Sequence, residues 1–187
     1  MKHIILASNS PRRRELLAGL NLDFEVRVLS GIPENYPRSL PASEVAGFIA
    51  REKADAYRET IGQNDLVVTA DTVVVVGNEI LGKPKDAEDA RRMLRLISGR
   101  THLVVTGVCL LTADKERCFS VTTDVTFKQL SEEEVTYYIE NYKPFDKAGS
   151  YGIQEWIGYV GVTSISGSYF NVMGLPVQRV WEEIKKL

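Results

Sequence analysis

The sequence predicts a mixed α/β domain with a cleft. Helical and strand-like apolar patterns alternate through the first half of the chain, and strand-like patterns dominate the second, a mixture that fits neither a bundle nor a strictly doubly wound sheet. Length sets the scale: 187 residues make one domain, or at most two small lobes sharing a sheet. Hydrophobic residues form 44% of the chain and charged residues 26%, which places it among folded soluble proteins rather than disordered ones.

Taken in order, residues 3–7 read as a short buried strand, followed by the polar turn Ser8-Asn9-Ser10 and a helix opened by Pro11. Proline suits a first helical position because its missing N–H would be unpaired there anyway. Residues 23–29 read as a second strand. Pro33, Pro37 and Pro41 then mark a long loop that ends at Ser43, a residue type suited to capping the helix that runs to about Tyr57. The apolar stripe of that helix is Ala46, Ile49, Ala50, Ala54 and Tyr57, and Lys53 falls on the same face. An inward lysine requires a partner.

Residues 66–76 read as a strand interrupted at Asp71-Thr72, turning through Gly77-Asn78 into a return strand at Glu79-Ile80-Leu81, because Gly and Asn supply the positive φ of tight hairpins. Asp86 caps a helix to about Ile97, closed by Ser98-Gly99. Residues 102–112 and 116–130 form a β pair with one buried face. Ser131 and Glu134 make a capping box for a helix to about Tyr142, and Pro144 closes it. Residues 151–153 and 159–165 read as glycine-flanked strands, and a helical stripe from Val177 to Leu187 follows Pro176.

Charge and hydropathy exclude some classes of function. With 23 Lys+Arg against 25 Asp+Glu, the net charge of -2 argues against a protein that grips nucleic-acid backbone. Apolar runs such as Val73-Val74-Val75-Val76 are far shorter than the ~20 residues that span a bilayer, so no membrane partner is expected. The N-terminal apolar run stops at Ser8, too early for a secretory core. Cys109 and Cys118 lack the spacing and histidine partners of a zinc site, and a reduced, cytoplasmic protein is the simple expectation.

Four segments carry chemistry. Ser8-Asn9-Ser10-Pro11-Arg12-Arg13 gathers hydroxyls, helix N–H groups and two guanidinium forks, which suits an anionic phosphate, although a capped helix with solvated arginines has the same sequence. Asp71 places a carboxylate in a run of Val, Ala and Thr, which is rare unless the group is paired, protonated or bound to a metal, or a fray or bulge in the strand brings it to water. Glu34, in the proline-marked loop, could serve as a second oxygen ligand for Mg²⁺ or Mn²⁺, or simply be solvated. Gly82-Lys83-Pro84 holds a lysine in a stiff turn, and Asp146-Lys147-Ala148-Gly149-Ser150-Tyr151-Gly152-Ile153-Gln154 is a glycine-rich stretch.

Together these segments resemble the Maf-type nucleoside triphosphate pyrophosphatases, known also as septum-formation-inhibitor proteins. The resemblance runs end to end through Ser8 to Arg13, Lys53-Ala54, Ala70-Asp71-Thr72, Gly82-Lys83-Pro84, Leu96-Ile97-Ser98-Gly99, Asp146-Lys147-Ala148-Gly149 and Gly167-Ser168-Tyr169 through Gly174-Leu175-Pro176, in order and at family spacing. The Tyr151-Gly152-Ile153-Gln154 run looks like the branch that cleaves dTTP and UTP, rather than the one acting on methylated guanosine triphosphate. Pro33-Glu34 stands where the family has two acidic residues, and Ser150 where alanine is common.

The resemblance implies a two-lobed mixed-sheet fold with a central cleft, similar to the inosine triphosphate pyrophosphatases, and a single domain over residues 1–187. It implies hydrolysis to nucleoside monophosphate and pyrophosphate, a divalent cation (Mg²⁺ or Mn²⁺) and often a homodimer. Asp71 matches the family's proton acceptor. Arg12, Thr72 and Gln154 match positions tied to substrate choice, and Ser8, Arg13, Lys53 and Lys83 match phosphate-handling residues. Asp71, with Glu34, would hold the metal. Cleavage of deaminated purine triphosphates on the same fold, and a protein that restrains cell division through contacts, are the alternatives.

Overall fold

The computed structural model describes residues 2–187. The fold is mixed α/β around a seven-stranded sheet. Its first strand, β1 (His3–Leu6), runs parallel to both β2 (Phe24–Val26) and β3 (Asp65–Val76), with Ile5 opposite Glu25 on one side and Val67 on the other. Further along the chain come β4 (Glu79–Leu81), β5 (Thr101–Leu111), β6 (Glu116–Phe127) and β7 (Val162–Ser166). The strand order is β2-β1-β3-β5-β6-β7, and β4 pairs antiparallel with the far end of β3.

The helices are α1 (Pro11–Ala18), α2 (Ala42–Asp55), α3 (Ala87–Ile97), α4 (Glu132–Tyr142), α5 (Trp156–Gly161), α6 (Tyr169–Met173) and α7 (Val177–Ile184). Pro11 occupies the start of α1 as expected, Asp86 caps α3 through the Asp89 amide, and the Ser131/Glu134 capping box opens α4. Lys143, in the left-handed region at φ 45°, ends α4 before Pro144.

The chain groups into two compact units, the first of residues up to Asp71 with Thr106–Val121 and Gly174–Leu187, the second of Thr72–Val105 and Thr122–Met173. In the first unit, Ile5, Ala54, Tyr57, Val67, Cys109 and Leu111 form a core cluster. Tyr57 is buried with its hydroxyl donating to the Arg27 carbonyl at 2.8 Å and accepting from the Leu29 amide at 3.0 Å, which ties α2 to the segment after β2. Helix α2 lies directly on β5: a Cβ at Gly107 would sit 2.3 Å from the backbone of Ala46 and Gly47. In the second unit, Val74, Val76, Leu94, Ile97, Val104, Phe127, Tyr138, Tyr151 and Ile157 belong to one core cluster.

Several expectations are corrected. Strand β3 is not interrupted at Asp71-Thr72; it continues through both, and these two residues are the half-exposed part of a strand otherwise buried from Leu66 to Val76. Ser43 does not cap α2, which starts at Ala42 after Pro41. Residues 151–153 are not a strand, and residues 156–161 form α5 before β7 begins at Val162. With α4 to α7 present, the second half is as helical as the first. The two cysteines are bonded to each other rather than free. The hairpin of β5 and β6 places Cys109 and Cys118 across from one another, with Cα atoms 4.1 Å apart, a proximity that their separation in sequence does not announce. Among the described residues, no helix is long and apolar enough to cross a membrane.

Candidate active site

The segment between β1 and α1 is shaped by its hydroxyls. Ser10 caps α1 by accepting from the Arg13 amide at 3.4 Å, and the Ser8 hydroxyl accepts from the Ser10 amide at 3.2 Å. This puts Arg12 and Arg13 in the first turn of a helix, where the backbone N–H groups and the dipole favour an anion. Arg12 and Arg13 are both half-buried. Arg13 Nε donates to the Gly174 carbonyl and its Nη1 to the Ala70 carbonyl, both at 2.8 Å. Burial lowers the Arg13 guanidinium from its usual value, and the Asp71 charge opposes that effect. Arg13 is therefore fixed against the strand immediately before Asp71.

Lys53 is the centre of the cluster. It sits on α2, on the inward face that also carries Ala50 and Ala54, and its ammonium meets the Glu34 carboxylate at 2.7 Å and the Asp71 carboxylate at 2.9 Å. Its side chain retains 15% of its exposure and that of Asp71 14%, while Glu34 keeps 55%. The partner that an inward lysine requires is thus a pair of carboxylates, brought in from a loop and from the middle of β3. The first unit in this way gathers Arg13, Glu34, Lys53 and Asp71, with Ser8 and Arg12 at the head of α1.

The donor set suits a hard divalent cation. Two carboxylates converge on one cation, and Mg²⁺ is commonly held by one or two carboxylates with substrate phosphates and water completing its shell. Among the described residues, the grouping of three potential metal ligands is elsewhere, at Cys109, Glu116 and Cys118, whose two sulfurs are bonded to each other.

The remaining predicted residues belong to the second unit. Thr72 follows Asp71 on β3. Lys83 is exposed on the turn after β4, and the Gly149 amide fixes that turn by donating to the Gly82 carbonyl at 3.1 Å. Gln154 lies in a turn closed by the Glu155 amide donating to the Gly152 carbonyl at 3.0 Å. Its Oε1 is buried and accepts no hydrogen bond. A buried acceptor left open is uncommon in folded proteins and is suited to a ligand donor.

The second unit also holds buried polar pairs that the sequence reading missed. His102 Nε2 and the Tyr151 hydroxyl are hydrogen-bonded at 2.6 Å inside the core, and burial alone pushes His102 down to about 4. Lys147 is buried and paired with Glu155 at 3.1 Å and Asp146 at 2.8 Å. A lysine in a glycine-rich stretch was the available signal for that pairing, as a lysine on an apolar helix face was for Lys53.

A family model described as Maf-like protein matches residues 3–187. A curated relative from Phocaeicola vulgatus named dTTP/UTP pyrophosphatase is 60% identical, over 98% of this chain and 95% of the relative. One from Bacteroides fragilis with the same name is 55% identical over the same shares. Among solved structures, a HAM1 protein from Coxiella burnetii superposes with a TM-score of 0.51 at 14% identity, covering 100% of both chains, and supports the fold.

Proposed function

The chain belongs to the Maf-like protein family, and from that premise we infer that it is a nucleoside triphosphate pyrophosphatase, hydrolysing dTTP and UTP to the nucleoside monophosphate and pyrophosphate. The full-length relatives named dTTP/UTP pyrophosphatase support the substrate. The observation that carries the chemistry is Lys53 held between Asp71 and Glu34 beside Arg13.

Attack of water on the α-phosphorus, with pyrophosphate leaving, needs cations along the triphosphate and a group to receive the water's proton. Lys53 and the helix N-terminus at Ser8 to Arg13 supply positive charge and N–H donors, and Lys83 adds a point charge from a stiff turn. Arg13 contributes through its charge and by fixing Ala70, which keeps Asp71 in place. Asp71 accepts the proton as general base, and Lys53 holds its carboxylate in place at 2.9 Å. Asp71 and Glu34 would hold a divalent cation, which when bound neutralises phosphate charge and activates water.

Arg12, Thr72 and Gln154 govern substrate choice in this reading. Gln154 Oε1 accepts from N3–H of uracil or thymine while its amide NH₂ donates to O4, a pattern that cytosine inverts. The test is pyrophosphate release from dTTP, UTP, CTP, GTP and ITP, with and without Mg²⁺. Preference for dTTP and UTP that is lost in chelator is expected; preference for ITP, or full activity in excess chelator, would overturn the respective parts of the reading.

A further inference from the structure

Gln154 reads a base only if its amide is held still, yet it sits in a four-residue turn where backbone freedom is highest. One side chain reaches both of its ends from outside. Tyr138, on α4 and fully buried, accepts a hydrogen bond from the Gly152 amide at 2.9 Å and donates to the Glu155 carboxylate. Gly152 and Glu155 are the first and last residues of the turn, already joined by their own backbone hydrogen bond. We propose that Tyr138 is a specificity-positioning residue: its hydroxyl spans both ends of the Gly152–Glu155 turn and fixes the Gln154 amide between them for the base. This rests on the reading of Gln154 given above.

The surroundings leave the turn little other freedom. A Cβ on Gly152 would stand 3.0 Å from both the Glu155 carboxyl carbon and Lys147 Cε, and one on Gly158 would stand 1.8 Å from the Ile153 carbonyl oxygen. Lys147 takes the other carboxylate oxygen of Glu155 at 3.1 Å, so Glu155 Oε2 is left for Tyr138. Burial and the neighbouring carboxylate raise the Tyr138 hydroxyl above its ordinary value, so it remains a donor. The Tyr138 ring stacks on Tyr142 with centroids 5.2 Å apart, a contact that phenylalanine would keep.

Tyr138→Phe removes one oxygen and leaves the packing. The experiment measures kcat and KM for dTTP, UTP, CTP and GTP in wild type, Tyr138→Phe, Gln154→Ala and the double variant. Tyr138→Phe should raise KM for dTTP and UTP about tenfold with kcat held within about twofold, narrowing the dTTP:CTP and dTTP:GTP ratios, because positioning the base is binding shared by ground and transition states. The double variant should discriminate no less than Gln154→Ala alone, since both changes disable one contact. An equal loss on all four nucleotides, or none, in Tyr138→Phe would overturn the proposal while a collapse of the ratios in Gln154→Ala left the base reading standing. Unchanged ratios in Gln154→Ala would instead refute the base reading and the proposal with it. Should Tyr138→Phe lower the melting temperature sharply, Glu155→Gln, which weakens the same clamp from its other end, must narrow the ratios in its place; if it does not, the proposal fails.

Discussion

At Asp71 one oxygen atom decides between a carboxylate and an amide. Asp71→Asn keeps the shape and still accepts from Lys53, but it loses proton affinity and hard-cation ligation. Pyrophosphate release should fall by at least about 10²-fold with the melting temperature little changed; near wild-type turnover would remove Asp71 from the chemistry. His102 makes a prediction about pH. Its folded value lies near 4, below the ~6.5 of an unfolded histidine, so the unfolded chain binds a proton that the folded one refuses. Stability contributed by neutral His102 is complete above about pH 6.5 and declines by about 3 kcal/mol as pH falls to about 4. His102→Gln, which can still meet the Tyr151 hydroxyl, should flatten that part of the stability profile in urea titrations, and parallel profiles would contradict the shift. Residue identity was the legible part of the site: Lys53 on an apolar helix face and Asp71 in an apolar strand both announce buried charge. That they are each other's partners depends on α2 and β3 lying together, which no spacing in the chain expresses. Tyr138 was illegible because an aromatic on a helical stripe reads as packing, and the partners of its hydroxyl come from a later turn.

Elements place these residues by close backbone approach. Gly107 lets α2 rest on β5, and α2 carries Lys53. Gly107→Ala would press a methyl group into the backbone of Ala46 and Gly47, atoms that no rotamer change can move aside. A loss of about 1–3 kcal/mol or more is expected from such overpacking, together with lower kcat/KM as Lys53 shifts; unchanged melting and turnover would show that α2 moves freely at this contact. The same kind of contact bears on the strand expected over residues 159–165, of which residues 162–165 are strand and residues 159–161 are the end of α5. Tyr159-Val160 is aromatic and β-branched, which locally favours a strand. In the structure it is helical, in a helix whose Gly158 is set so closely on the Ile153 carbonyl that no side chain would fit. Capped helices such as α3 and α4 were legible because their signals lie within four residues; α5 was not, because Glu155 at its start makes no side-chain cap and its Ile157 is buried in a cluster with Phe127 and Leu130 from distant parts of the chain.

At the scale of the molecule, two strands, β3 and β5, contribute buried residues to both cores. Val67 of β3 and Cys109 and Leu111 of β5 belong to the core of the first unit, whereas Val74 and Val76 of β3, Val104 of β5 and Phe127 of β6 belong to that of the second. A strand cannot remain ordered at one end while its continuation unfolds without losing pairing along its length. The two tryptophans report separately, Trp181 in the first unit and Trp156 in the second. Single-tryptophan variants Trp156→Phe and Trp181→Phe should therefore give coincident denaturation midpoints; midpoints that differ reproducibly would mean that the two cores melt independently.

Lys53, finally, arrives at its task already neutralised. An ammonium shared by two carboxylates offers little unbalanced field, so a lone inorganic anion has little to gain by displacing them. On the proposed reading, a polyphosphate would engage the helix terminus and several cations at once and compensate for the exchange. The resting protein would in this respect be a loaded ion exchanger, whose internal counter-ions weigh ligand valence before any base is read.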